Sequence, residues 1–212
     1  ANTGLAGPST GYLPPPIEGA VNYGAFPYDP KAARELLKEA GFPDGFHATL
    51  WSAYNDGKTL KTLQFLQQQL AQVGVKVRVR TLEAGERTSF VESTPQPEQS
   101  RHELYYIGWS SSTGELDWAL RPLLATASWA PVAGNYGFYS SKVLDDSFTK
   151  ALLTTDRAEK TKLYNAGQDA IWNDAPWIFL INEQNVSAKV KNLKKFYVQP
   201  DAGFDYYEAE LD

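Results

Sequence analysis

Between Asp29 and Trp109 the hydrophobic period switches back and forth between three-to-four residues and two, and that alternation leaves few folds open. Asp29 is a good helix N-cap, and Pro30 fits the first helical position, where its missing N–H is not needed. Ala33, Leu36, Leu37 and Ala40 then fall on one face, and Gly41 and Pro43 end the helix. After the turn Pro43-Asp44-Gly45, residues 47–51 read as a strand. Past Asn55-Asp56-Gly57, the spacing of Leu60, Leu63, Leu66, Leu70 and Val73 predicts a helix over 58–73, closed by Gly74. Val75, Val77 and Val79 alternate with Lys76, Arg78 and Arg80, which is the two-residue period of a strand. A short helix over 84–92, a polar loop over 93–100 and an aromatic strand over 103–109 complete the run.

The second half is helix-rich. Residues 141–153 place Leu144, Phe148, Ala151 and Leu152 inward, and Asp156 with Glu159 forms a capping box for a helix over 157–173 that Pro176 stops. Residues 177–182, 186–190 and 196–198 read as strands, followed by an aromatic, acidic tail. Residues 1–28, with Pro14-Pro15-Pro16 at their centre, read as an extended connector. The order defines an α/β fold, a mixed sheet flanked by helices on both faces. In such sheets ligands sit beyond the carboxyl ends of the strands, here 51–55, 80–84 and 109–114.

Composition narrows the function. The net charge of −5 over 212 residues gives no basic footprint for nucleic acid, and no apolar run approaches the ~20 residues of a membrane-spanning helix. There is no cysteine, so there is no thiol nucleophile or thiolate metal site. The two histidines, His47 and His102, lack ligand spacing, so neither metal nor cofactor is expected. No nucleophile elbow, P-loop or His-Glu-x-x-His is present. The 6 Trp and 12 Tyr suit a binding surface of flat amphipathic rings. Methionine is absent and the chain opens on Ala1, which leads to the expectation of a mature form, a cut fragment or a trimmed chain.

The segment 105–118 is the richest candidate site. A buried strand delivers Trp109, then the hydroxyls of Ser110, Ser111 and Ser112, with Glu115 and Asp117 as acceptors for a ligand ammonium. The competing reading is a sheet-edge loop in which Asp117 caps a short helix and Trp118 packs in the core. Tyr54 and Asn55 follow another strand end, where plain turn chemistry is the rival explanation. Asn135 and Tyr136 belong to an aromatic loop, equally fit for ligand contact or for packing under a long connection.

At these residues the chain resembles the carboxyl-terminal lobe of the family 5, peptide-type solute-binding proteins of ABC transporters. Within that group it is most similar to the glutathione-binding members. The resemblance rests on the stretch from Tyr28-Asp29-Pro30 to Gly41-Phe42-Pro43, on Gln67-Gln68-Gln69-Leu70-Ala71-Gln72-Val73-Gly74, and on Gly108-Trp109-Ser110 with Thr113-Gly114-Glu115 and Asp117-Trp118-Ala119-Leu120. Phe138-Tyr139-Ser140 and Asp174-Ala175-Pro176-Trp177 extend it over essentially the whole chain. It implies one lobe of a two-lobed, type II periplasmic binding protein that closes on a ligand in the inter-lobe cleft. Residues 1–20 would be the crossover from the other lobe, 21–182 the ligand-binding lobe, and 183–212 the return segment and tail. The implied partners are glutathione or a short peptide, the amino-terminal lobe and an ABC permease, in an extracytoplasmic compartment, without enzymatic activity. The resemblance also carries a departure. Peptide-binding members place an Asp three residues after the motif Trp to pair with the ligand's α-ammonium, and here that position is Ser112, which suits a ligand other than an ordinary linear peptide. Two other readings stay open: an isolated or engineered scaffold lobe without ligand binding, and a hydrolase using Glu115 and Asp117 as an acid pair.

Overall fold

Helix α1 (Pro30–Glu39) starts where the sequence places it, because the Asp29 carboxylate accepts from the backbone N–H groups of Lys31 and Ala32. Asp56 does the same for Lys58 and Thr59 at the start of α2 (Gly57–Ala71). The structure is a computed structural model that describes residues 6–199 and 203–212. The first five residues of the expected crossover segment, and residues 200–202 of the expected return segment, lie outside the described residues. The described residues divide into two compact units, one of 26–109 and 122–140, the other of 6–25, 110–121, 141–199 and 203–212.

The first unit is built on a parallel three-stranded sheet, ordered β3-β2-β4, with β2 (His47–Ser52) between β3 (Lys76–Thr81) and β4 (Leu104–Tyr106). Residues two apart on a strand share a face, so the register puts Arg80, Trp51 and Tyr105 in one row across the three strands. One face carries Ala48, Leu50 and Val77, packed with Leu63, Leu66 and Leu70 of α2 and Leu37 of α1. Leu63 is wholly buried, which contributes roughly 2 kcal/mol of transfer free energy. The opposite face carries Trp51, covered by Leu82, Val91, Phe90 and Tyr136. The expected helix over 84–92 is a short α-helix, α3 (Ala84–Arg87), running into a π-helical turn, Thr88–Glu92. At the amino end of the sheet the α1–β2 and α2–β3 connections touch. Gly45 has φ +73°, and a Cβ there would lie 2.1 Å from the Gly74 carbonyl oxygen, so only glycine fits.

The second unit pairs β1 (Ala6–Pro8) antiparallel with β5 (Ile181–Glu183). It also contains most of α4 (Leu116–Leu124), then α5 (Lys142–Leu153) and α6 (Arg157–Asp174). Helices α5 and α6 pack closely at Gly167, where a Cβ would lie 2.3 Å from Phe148 Cε1. The Pro-rich connector is more tied down than its composition suggests. Gln168, buried on α6, accepts from Val21 N and donates to Gly19 O, while Tyr23 stacks on Trp172. Two short antiparallel pairs finish the chain: β6 (Leu193–Lys194) with β9 (Glu210–Leu211), and β7 (Tyr197–Val198) with β8 (Phe204–Asp205). The fold is thus α/β as expected, but among the described residues the strands form separate sheets, a parallel one in the first unit and antiparallel pairs in the second. Residues 186–190 are not a strand. Their apolar side chains are exposed and no ladder partner runs beside them.

Candidate functional site

In the first unit, the strand ends deliver Tyr54, Asn55 and Trp109, and a loop delivers Asn135 and Tyr136. Strand β4 leaves the ladder after Tyr106, whose carbonyl accepts from Ala53 N. Beyond that point the Tyr54 side chain takes over. Its hydroxyl accepts from Gly108 N at 3.1 Å and donates toward Gly108 O at 3.5 Å. The chain is held there, and the next residue, Trp109, stands 46% exposed. Asn55 Nδ2 donates to Glu83 Oε1, linking the ends of β2 and β3. Asn135 is fully buried and organises its own loop. Its Nδ2 donates to Ala125 O and Tyr139 O, and its Oδ1 accepts from Tyr139 N. Tyr136 is half-buried with its ring edge-on to Tyr105, and its carbonyl accepts from His102 Nε2 at 2.9 Å. Burial holds His102 below the usual histidine range, with the Tyr136 carbonyl opposing the shift.

In the second unit, the serine loop is already bonded to itself. Ser111 Oγ donates to Glu115 O, Thr113 Oγ1 accepts from Glu115 N, and Ser112 Oγ accepts from Trp118 Nε1. Ser110 is exposed. Trp118 is exposed too, so it does not pack in the core. Asp117 lies inside the first turn of α4 and does not cap it. Its carboxylate accepts from Arg121 Nε at 2.8 Å, from Arg121 Nη2 at 2.6 Å and from the Tyr164 hydroxyl at 3.2 Å. Arg121 also donates to Phe148 O. The Tyr164 hydroxyl is pushed up to about 12, first by burial and then by the Asp117 charge.

Sequence reasoning missed Arg121 and Tyr164 as partners of Asp117. The four-residue spacing of Asp117 and Arg121 on one helix was the available signal for the first. It also missed Trp51, Arg87 and Glu92, which gather with Tyr105 on the face of the first unit's sheet opposite α1 and α2. Concavities lie elsewhere: one of about 380 Å³ at the amino ends of β2 and β3, lined by His47, Lys76, Arg78 and Glu103, and one in the tail beside Phe196 and Phe204. Among the described residues no group of His, Asp and Glu could hold a metal ion. No described helix is long and apolar enough to cross a membrane.

Residues 2–131 match the bacterial extracellular solute-binding proteins, family 5 (middle region), and the chain belongs to that family. It is 53% identical over 211 residues to the glutathione-binding protein GsiB of Escherichia coli K12, and 52% identical to GsiB of Salmonella typhimurium. Both alignments cover 100% of this chain and 41% of the relative, so the chain spans about two fifths of these proteins. Among solved structures, the periplasmic binding protein DppA of Helicobacter pylori, in complex with the peptide STSA, superposes with a TM-score of 0.80 at 30% identity. That match covers 98% of this chain and 40% of DppA. A dipeptide-binding protein from Pseudoalteromonas sp. SM9913, in complex with Met-Leu, gives 0.82 at 24% identity, with 100% and 41% covered.

Proposed function

We propose that this chain is the carboxyl-terminal, ligand-binding lobe of the substrate-binding component of an ABC importer for glutathione or small peptides, working in the periplasm. The observation that carries the reading is the 53% identity to a glutathione-binding protein across all of this chain. The remaining lobe of the same protein would supply the other wall of the cleft, and the permease would receive the loaded receptor. Residues 1–20 and 183–212 would connect the two lobes, with 21–182 facing the ligand. The exposed apolar tail, with Tyr206 and Tyr207 in solvent, fits a return segment that packs on that other lobe. Trp109 would wall the cleft beside Tyr54 and Tyr136. The Ser110–Ser112 loop would offer hydroxyls and backbone amides, with Asn55, Asn135 and Asp117 holding those walls in place. Asp117 is ion-paired to Arg121, which argues against a hydrolytic acid pair with Glu115.

Half a cleft leaves a charged ligand hydrated on one side and cannot close over it. Calorimetric titration of reduced glutathione, with a mixed dipeptide pool as control, tests the reading on this chain and on the chain rejoined to its other lobe. Binding by the rejoined protein with preference for glutathione is the expected result. Binding of dipeptides alone would keep the receptor and overturn the ligand. Micromolar binding by the isolated chain would overturn the half-site.

A further inference from the structure

Three side-chain donors on the outer face of the sheet of the first unit are buried without a protein acceptor: Trp51 Nε1, the Tyr105 hydroxyl and Arg87 Nε. A buried polar group left unsatisfied costs about 1–3 kcal/mol, so one such group is uncommon and a cluster calls for a cause. These three form one cluster. Trp51 and Tyr105 are register partners on adjacent parallel strands, at the carboxyl end of the sheet. The charges of Arg87 and Glu92 both act on the Tyr105 hydroxyl. Arg87 Nε lies 2.8 Å from Glu92 Oε1, an ion pair by distance, yet the N–H is not aimed along that line. Glu92 is occupied on its other side, where Oε2 accepts from Thr88 Oγ1. The backbone here is the π-helical turn Thr88–Glu92, a rare conformation that recurs at functional sites. All three groups can donate, so the missing group is an acceptor, and drawing Arg87 away from Glu92 takes an anionic one.

We propose that Arg87, Tyr105 and Trp51 form a carboxylate-binding subsite, which takes an acidic group of the transported solute. This deepens the receptor reading above and rests on it for the identity of the solute. Arg87 is the movable wall, since its side chain is more than a third exposed, and it turns from Glu92 to the incoming carboxylate. Trp51 is only 6% exposed and supplies a fixed donor behind it. A charge-assisted hydrogen bond is roughly twice as strong as a neutral one, so an entering carboxylate gains most from Arg87. Glu92 opposes it as the one like charge in the cluster.

The test reads the indole N–H of Trp51 in the nuclear magnetic resonance spectrum of the chain labelled at tryptophan nitrogen, assigned with Trp51→Phe. Sodium acetate is the minimal carboxylate, sodium chloride at equal ionic strength the control, and reduced glutathione and its diethyl ester the solutes. Acetate and glutathione should move the resonance downfield in a saturable way, while chloride and the ester leave it in place. Arg87→Gln and Tyr105→Phe should each weaken the acetate response about tenfold or more, and Glu92→Gln should strengthen it. Tyr105→Phe should also leave the melting temperature of the unliganded chain unchanged or raise it, because it removes an unsatisfied hydroxyl. A response to acetate without one to glutathione in the chain rejoined to its other lobe keeps the subsite and overturns glutathione as the solute. No response to either, or one that the three variants leave untouched, overturns the subsite. A lowered melting point for Tyr105→Phe with an unchanged response shows that the hydroxyl bonds only to water, and overturns it as well.

Discussion

Two polar clusters, one in each unit, are built from similar residues and left in opposite states. In the second unit an aspartate, an arginine and a tyrosine close on one another. Asp117 accepts three hydrogen bonds, and Arg121 Nη2 also donates to Phe148 O. In the first unit a glutamate, an arginine, a tyrosine and a tryptophan lie together, yet Trp51 Nε1 and the Tyr105 hydroxyl reach no acceptor and the Arg87 Nε–H is misaimed at its ion-pair partner Glu92. The first arrangement is finished by folding and fixes α4 under the serine loop. The second is unfinished, and its loss of hydrogen bonding is borne by the rest of the fold. A fully satisfied network rigidifies and specifies one structure, whereas an unpaired buried polar group is costly.

Substitutions can break that contrast. Asp117→Ala has the largest expected effect. It strands a half-buried guanidinium and should lower stability by about 3 kcal/mol in denaturant unfolding, while the equivalent truncation Glu92→Ala costs far less. Asn135→Ala comes next, at about 2 kcal/mol, since three buried bonds to the loop end together. If Asn135 instead faced solvent, the loss would stay within the scatter of surface substitutions.

Titration of His102 sharpens the comparison further. Burial lowers its folded pKa below the ordinary 6.5, so the unfolded chain binds the proton more readily. Stability is then full above about pH 6.5 and falls as the pH drops below it, until the folded histidine also protonates. His102→Gln should flatten that part of the stability curve, measured by urea unfolding across pH. Arg157→Ala has the smallest expected effect. Its pairing with Glu18 is almost fully solvated, and the melting temperature should correspond to a change within about 0.5 kcal/mol.

The helices were legible where a side chain caps the backbone, as at Asp29, Asp56 and Asp156, because the cap is a local bond between neighbours in sequence. The strands β2 and β3 were legible because alternation is also local. The predicted strand over 186–190 failed for the reason that a strand needs a partner edge, and no pattern within Val186–Val190 supplies one. The same limit shortened β4. Ile107 and Gly108 look like strand residues, but the chain there is bonded to the Tyr54 side chain, 54 positions away. Of the candidate site, Trp109 was readable as an exposed ring after a strand. Asn135 was readable only as a loop residue, since its burial depends on Ala125 and Tyr139 closing around it. The donors Trp51 and Tyr105 meet only through sheet register, which sequence does not fix until both strands are paired.

The contact between Gly45 and Gly74 governs how the chain meets a protease. Glycine turns on a surface are ordinarily among the first places to be nicked, because their backbone swings freely into an extended strand. Here the turns hold each other, since a β-carbon on Gly45 would strike the Gly74 carbonyl at 2.1 Å and one on Gly74 would sit tight at 3.1 Å from the Asp44 carbonyl oxygen. Cleavage at either would require both connections to lift away from the sheet together, taking the starts of β2 and β3 with them. Limited digestion should therefore spare this edge and cut first in the exposed 95–99 stretch, leaving two fragments still held by the paired strands.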